Sequence, residues 1–299
     1  MIAIVIPYYK HTFFEEALQS LASQTDKRFN VYIGDDASPE NPKELIEKYN
    51  EQLNIKYLRF DNNLGSTSLT QQWKRCIDLI EGEEWILLLG DDDYLGDNVI
   101  ESWYSNLEVF KEKSNVIRFS TKVKNEKAGT ISKTVTHPIW EKPIDSYYRR
   151  FKGKSRSSLS EYIFSTTSYN KFGFAEHPLA WHSDDRMWLE YSENKDIYTI
   201  NDAQIYIRTS EINISGKQDN FDLKNMASIQ FYKYLVSNKL THLNKNKKLE
   251  FILQYESSIK KVRELKMDEW KFLGRLYLKY FKVIYVLKYS KRFLKSRFI

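Results

Sequence analysis

Three adjacent carboxylates, Asp91-Asp92-Asp93, follow the apolar run Trp85–Leu89. Carboxylates side by side repel one another unless a cation or hydrogen-bond donors balance them. Mg²⁺ and Mn²⁺ take oxygen ligands and keep waters and substrate phosphates in their shell. One or two of these Asp residues are therefore expected to hold such an ion against a diphosphate leaving group. The competing reading is a solvated acidic turn capping the next helix, and the apolar strand leading into the triplet argues against it. A calcium loop fails, because the fifth position from Asp91 is Leu95. A second pair, Asp35-Asp36, stands before Ala37-Ser38. A carboxylate at a strand end accepts from a base N–H or a ribose hydroxyl, although turns use such residues more often. A third group, His182-Ser183-Asp184-Asp185-Arg186, opens a helix-like stretch, where Ser183 and Asp184 also suit an N-cap.

The first two groups need a scaffold that brings them together, and the first half of the chain supplies one. Ile2–Tyr8, Phe29–Ile33, Ile55–Phe60 and Trp85–Leu89 read as strands. Between them, helical spacing runs over Phe13–Ala22, 43–49 and 67–80, with turns at Pro39–Pro42 and Asn62–Gly65. This alternation predicts an α/β fold with a mostly parallel central sheet flanked by helices, whose ligands sit at the carboxyl ends of the strands. Pro7-Tyr8-Tyr9, Asp35-Asp36 and Asp91–Asp93 all fall at such ends. Further on, 97–112 reads as a helix and Val116–Ser120 as a strand. The polar stretch 122–160, with its basic run Arg149, Arg150, Lys152, Lys154 and Arg156, is expected as loops and short strands over the site, a functional lid. Residues 186–192 read as helix, 197–208 as strand, and the chain beyond Phe221 as helical.

With these motifs in this order, residues 1–120 resemble the inverting glycosyltransferases of family 2, which have the GT-A fold. The matching segments are Ile4-Val5-Ile6-Pro7-Tyr8-Tyr9, the helix ending Ser20-Leu21-Ala22-Ser23-Gln24-Thr25, and Asp35-Asp36-Ala37-Ser38. Asn63-Leu64-Gly65, Gly82-Glu83-Glu84-Trp85-Ile86 and Leu89-Gly90-Asp91-Asp92-Asp93 complete the set. The resemblance implies that Pro7, Tyr8, Tyr9, Asp35, Asp36, Asn63 and Gly65 belong to the nucleotide-sugar site, with Tyr8 or Tyr9 against the uracil face. It implies that Asp91 and Asp93 bind ribose and metal, with Asp92 as the ligand in an alternative register, and that the cofactor is Mn²⁺ or Mg²⁺. It further implies a general base at Asp184 or Asp185, with Asp184 favoured by the spacing to the following Arg and Trp. Ser183 stands where the family more often has Glu. His182 is a candidate donor beside that base, although a lone histidine is more often structural.

Other classes are weaker. No Gly-x-Gly-x-x-Gly follows the first strand, and Gly153-Lys154-Ser155 lacks both the earlier glycine and the strand of a phosphate loop. A nucleotidyltransferase needs a Gly-rich basic loop where Tyr8-Tyr9-Lys10-His11 stands. A non-catalytic nucleotide-sugar-binding partner of a polysaccharide synthase remains the alternative to an enzyme. Cys76 is the one cysteine, so no internal disulfide can form, and it reads as a small core residue. With no signal peptide visible, the chain is expected to be cytoplasmic.

The net charge of +6 is unevenly placed: residues 270–299 hold nine Lys or Arg and no acid, which leaves 37 basic against 40 acidic residues elsewhere. This speaks against nucleic acid, whose binders carry positive charge on the folded domain, and for an anionic membrane surface. Lys271, Arg275, Lys279 and Lys282 form a stripe opposite Phe272, Leu273, Leu276 and Tyr280, as in an interfacial amphipathic helix. Packing on the body or on a second subunit is the competing expectation. The expected organisation is a GT-A domain at 1–210 and a helical extension with a basic tail at 211–299. The expected reaction is sugar transfer from a nucleotide donor, a UDP-sugar first, to a hydroxyl of a cell-surface or lipid-linked glycan, with the enzyme peripheral at the inner face of the plasma membrane.

Overall fold

The computed structural model describes residues 1–211 and 220–296. The short apolar runs of the first half are strands and the segments of helical period are helices: β1 (Ile2–Tyr8), α1 (Phe14–Ala22), β2 (Phe29–Asp35), α2 (Lys43–Glu47), β3 (Ile55–Arg59), α3 (Leu69–Ile77) and β4 (Trp85–Leu88). Every residue of β1 except Pro7 is buried, as its unbroken apolar sequence requires of a strand covered on both faces. It pairs in parallel with β2 and β4, and β2 pairs in parallel with β3. The carboxyl ends of β1, β2 and β4 therefore share one edge, and the acidic motifs follow them there.

The chain continues through β5 (Tyr94–Leu95), α4 (Val99–Phe110), β6 (Val116–Asn125), β7 (Thr130–Ile131), β8 (Trp140–Glu141), α5 (Pro143–Phe151), β9 (Tyr162–Ser165), α6 (Thr166–Phe172), α7 (Ser183–Tyr191) and β10 (Ile197–Thr209). Among the described residues the sheet runs β3-β2-β1-β4-β9-β6-β10-β5, with β7 on β6 and β8 on β10. It is parallel from β3 to β4 and again between β6 and β10, while β9 lies antiparallel between β4 and β6. The alternation of strand and helix that predicts parallel pairing ends before β9.

The stretch 122–160 contains the expected short strands, β7 and β8, and in addition the helix α5. β6 runs on to Asn125, and Pro143 starts α5 at a position where its missing N–H costs nothing. The arginines of its basic run pair with buried acids, Arg149 with Glu141, Arg150 with Asp185 and Arg156 with Glu161, while Lys152 and Lys154 are exposed. These arginines neutralise acids of the fold itself, so they are not the free phosphate-binding patch that their run suggests. Cys76 is wholly buried against Gly34, and its burial pushes the thiol up, away from the reactive thiolate.

The chain divides into two compact units, Met1–Glu176 with Ser183–Lys217, and His177–His182 with Gln218–Ile299. The expected division at 210/211 ignores the short segment 177–182, and residues 212–219 and 297–299 of the expected extension lie outside the described residues. The second unit contains α8 (Phe221–Asn238), α9 (Lys245–Lys260), α10 (Met267–Tyr280) and α11 (Val283–Lys295). Trp270, Leu273, Leu276 and Tyr277 of α10 are buried. Much of the apolar stripe expected to face a membrane is therefore covered by protein. No described helix is long and apolar enough to cross a membrane.

Candidate active site

Asp35 and Asp36 end β2 in different surroundings. Asp35 is fully buried and accepts from the Ser38 backbone N–H at 2.8 Å, the Tyr57 hydroxyl at 2.6 Å and the Arg59 guanidinium at 2.8 Å. Both of its oxygens carry donors from the fold, so it shapes the turn. Asp36 accepts from the backbone N–H groups of Leu64 and Gly65, at 2.7 and 2.9 Å, and from Arg75. Gly65 is required here by space, because a Cβ at this position would stand 2.5 Å from Asp36 Oδ2. The Asn63-Leu64-Gly65 turn thus serves as a clamp on Asp36. Asn63 itself is occupied by its own turn, accepting from the Ser66 N–H at 2.9 Å. Ala37, directly after Asp36, holds φ 53°, a left-handed conformation that a residue with a side chain rarely adopts.

Of the two tyrosines expected at a base face, Tyr8 is fully buried. Its ring packs 4.6 Å from Phe14, its hydroxyl donates to the Glu40 carbonyl at 3.1 Å, and burial pushes that hydroxyl up to about 12. A ring without exposed surface has no face for a base, so Tyr9, which is exposed, is the tyrosine available for stacking. Pro7 is half-buried at the same strand end. Ser38, Pro39, Asn41, Lys43 and Arg59 line a concavity beside this turn.

The acidic triplet is differentiated in the same way. Asp91 accepts through one oxygen from the backbone N–H groups of Tyr9 and Lys10, both at 2.8 Å. Asp93 is buried, and both of its oxygens are used, one by the Ser160 hydroxyl at 2.6 Å and the other by the Arg208 backbone N–H at 2.8 Å. Asp92 is half-buried; its carboxylate accepts from its own backbone N–H and feels the charges of Lys10 and Arg208, but no other described residue donates to it. Gly90 makes room for it, since a Cβ there would meet Asp92 Oδ1 at 3.0 Å. Burial and the Asp92 charge push Asp91 up to about 6 and Asp93 up to about 7, and burial also raises Asp92. Such a cluster favours a cation, and Asp92 is the member of the triplet best placed to take one; the two backbone N–H groups on Asp91 both bond the same oxygen. Asp93, expected as a ligand, instead ties the triplet to β10 and to Ser160. No three His, Cys, Asp or Glu side chains form a closed metal cage among the described residues. One carboxylate is nevertheless compatible with Mg²⁺ or Mn²⁺, which draw most of their shell from water and substrate phosphates.

Sequence reasoning missed Arg208, and it placed Arg150 and Arg156 over the site without their acidic partners. Arg208 is buried, donates through Nε to the Asp92 carbonyl at 2.8 Å, and pairs with Glu16 and Glu126. Arg156 pairs with the fully buried Glu161 at 2.8 Å, and its charge is also felt at Asp93. Glu161 is pushed up to about 7 by burial, and it feels Arg150 and Asp184 as well. Arg156, Glu161 and Arg150 thus link the acidic triplet to the start of α7 by overlapping electrostatic influence.

At that start Asp185 is buried and held by Arg150, while Asp184 is half-buried at the first turn. Ser183 does not cap through its own helix; its hydroxyl donates to the Ala175 carbonyl at 2.7 Å. The backbone leading into α7 is strained, with φ 57° at Leu179, 53° at Ala180 and 66° at His182. His182 turns to α8, where it stacks on Phe231 at 4.7 Å and meets the Ser228 hydroxyl at 3.2 Å, so it serves the helical unit.

The family model described as "Glycosyl transferase family 2" matches residues 3–171. Poly(ribitol-phosphate) beta-N-acetylglucosaminyltransferase TarS of Staphylococcus aureus, found in two strains, is 28% identical over 103 residues, which are 33% of this chain and 17% of the relative's length. The crystal structure of S. aureus TarS 1-349 in complex with UDP-GlcNAc matches with a TM-score of 0.66 at 18% identity, over 93% of this chain and 81% of that one. The complex of the same TarS segment with UDP gives 0.59 at 18% identity, over 92% and 78%. At that identity the superpositions speak for the fold. The family match covers more than half of the sequence, and this chain belongs to glycosyl transferase family 2.

Proposed function

We propose that the chain transfers a sugar from a UDP-sugar to a glycan hydroxyl with inversion at the anomeric carbon. The observation that carries this reading is the division of labour in the acidic edge: Asp36 clamped by Gly65 and Arg75, Asp92 without a donor from any other described residue, and Asp184 at the first turn of α7. Tyr9 would cover the uracil face, and Asp36 would accept from the base or ribose. Asp92, with the second oxygen of Asp91, would hold a divalent cation, whose chemistry is to neutralise the charge of the departing diphosphate. Asp184 would take the proton from the acceptor hydroxyl as its oxygen attacks from the face opposite the nucleotide. Asp185 would stay ion-paired with Arg150 and fix the orientation of the helix.

UDP-GlcNAc is the first donor to test, because a TarS structure holds it and that fold covers nearly the whole chain. The acceptor we propose is a cell-surface or lipid-linked glycan, met at the cytoplasmic face of the plasma membrane. The test is a panel of nucleotide sugars, assayed by thermal shift and by UDP release, with and without Mn²⁺. Metal-dependent stabilisation by UDP, with turnover of one UDP-sugar, is the expected result. Indifference to every nucleotide would remove the proposal. Binding without turnover would favour a non-catalytic nucleotide-sugar-binding partner.

A further inference from the structure

The helices α10 and α11 pack as a hairpin on their aromatic residues. Tyr289 donates to the Trp270 carbonyl at 2.5 Å, Phe293 meets the Trp270 ring at 5.5 Å, and Tyr277 stacks on Tyr289 at 5.1 Å. Gly274 permits the close approach, since a Cβ there would stand 3.1 Å from the Tyr289 hydroxyl oxygen. This inward use of Trp270, Tyr277, Tyr289 and Phe293 decides what remains outside. Leu278 is 70% exposed, Val283 73%, Ile284 55%, Leu287 59% and Leu294 52%. No residue of α11 is buried.

On a helical wheel Val283, Leu287 and Leu294 fall on one side of α11, with Ile284 at its margin. Lys288, Lys291 and Lys295 lie along that same margin, all exposed, and Lys279 and Lys282 stand at the turn between the helices. None of these five lysines pairs with a carboxylate among the described residues, whereas Arg292, on the inward side, does, with Glu256. An aliphatic strip with a rim of unpaired lysines is poorly suited to water. It is also poorly suited to a second copy of itself, because a two-fold contact sets the patch against its own image and places lysine against lysine. Anionic headgroups over an acyl layer complement both parts, the rim electrostatically and the strip by burial.

We propose that the outer face of α11, with Leu278 and the turn at Phe281–Lys282, docks on an anionic lipid surface. The stripe of α10 does not provide this face, since its apolar side is spent inside the helical unit. The inference adds to the proposed function by giving a lipid-linked acceptor a place to be met, and it rests on that reading only for the acceptor.

The test is flotation of the full chain with vesicles of phosphatidylglycerol and phosphatidylcholine in equal parts, against phosphatidylcholine alone. Flotation with the anionic vesicles only is the expected result. Neutralising Lys288, Lys291 and Lys295 to Gln should lower partitioning by roughly a hundredfold, as three lysine contacts with anionic lipid predict. Ile284→Asp with Leu287→Asp should abolish it. These side chains are exposed, so the variants should melt with the wild type and release UDP at the wild-type rate, which separates this test from that of the transferase. Failure to float, or equal binding to neutral vesicles, would overturn the proposal. So would a concentration-dependent dimer in sedimentation velocity that is lost in the Asp variant while neither protein floats.

Discussion

Replacing Gly65 by Ala tests the nucleotide side of the site at one atom. The added Cβ would stand 2.5 Å from Asp36 Oδ2, closer than real Cβ contacts allow, so the carboxylate has to retreat. Asp36 is buried and held by three donors, Leu64 N–H, Gly65 N–H and Arg75, and it cannot move without loosening at least one of them. A hydrogen bond to a charged group is worth about 1.5–3 kcal/mol. A loss of about 2 kcal/mol is therefore expected in folding, seen as a fall in melting temperature of roughly 4 °C for a chain of this size. If Asp36 also binds base or ribose, UDP affinity should drop by about tenfold or more, since 1.4 kcal/mol is a decade. The assay is a thermal melt with UDP titrated in the presence of Mn²⁺. Gly82→Ala is the matched control, because nothing lies within 4 Å of its Cβ, and it should change little. Should Gly65→Ala melt and bind UDP like the wild type, the clamp on Asp36 is not what holds the nucleotide, and the reasoning fails.

Asp184→Asn should lower transfer by about 10²–10⁴-fold while leaving the UDP-induced melting shift intact, and full activity in that variant would move the base elsewhere. Arg150→Met should cost about 3–5 kcal/mol in urea denaturation by breaking the ion pair with the buried Asp185, and adding Asp185→Leu should recover much of it; a single variant as stable as the parent would show the pair to be dispensable. Asp91 and Asp93 are raised to about 6 and about 7, so the folded protein holds protons that the unfolded chain releases. Without metal, the contribution of these groups to stability is then lost as pH rises from about 4 to about 7, and stabilisation by Mn²⁺ should grow over the same window; a melting shift flat between those limits would contradict the site.

The elements of the first half were legible because their signals are local. β1 is apolar throughout, α1 and α3 keep helical spacing, and the motif residues stand within a few positions of the strand ends that display them. The arginines of the site had no such signal. Arg208 meets Asp93 across 115 positions, Arg75 meets Asp36 across 39 and Arg150 meets Asp185 across 35, and no local period announces such pairs. Strand β9 was equally silent: four residues between two helical turns, placed antiparallel only because β4 and β6 leave it a slot.

The sequence by itself thus determined the parallel half of the sheet, β1 to β4, its ligand edge and the three acidic groups, since each depends on residue type and short spacing. Tertiary structure alone decided how each member of those groups is bonded. Asp35, Asp36 and Asp93 carry donors on both oxygens, Asp92 takes its bond from its own backbone N–H, and Asp185 is neutralised by a helix that the sequence had not shown. The same holds for the tail, where amphipathicity can be read along the chain. Which face meets protein and which meets solvent follows from the packing of Trp270 and Tyr289, and that is fixed only when two helices touch.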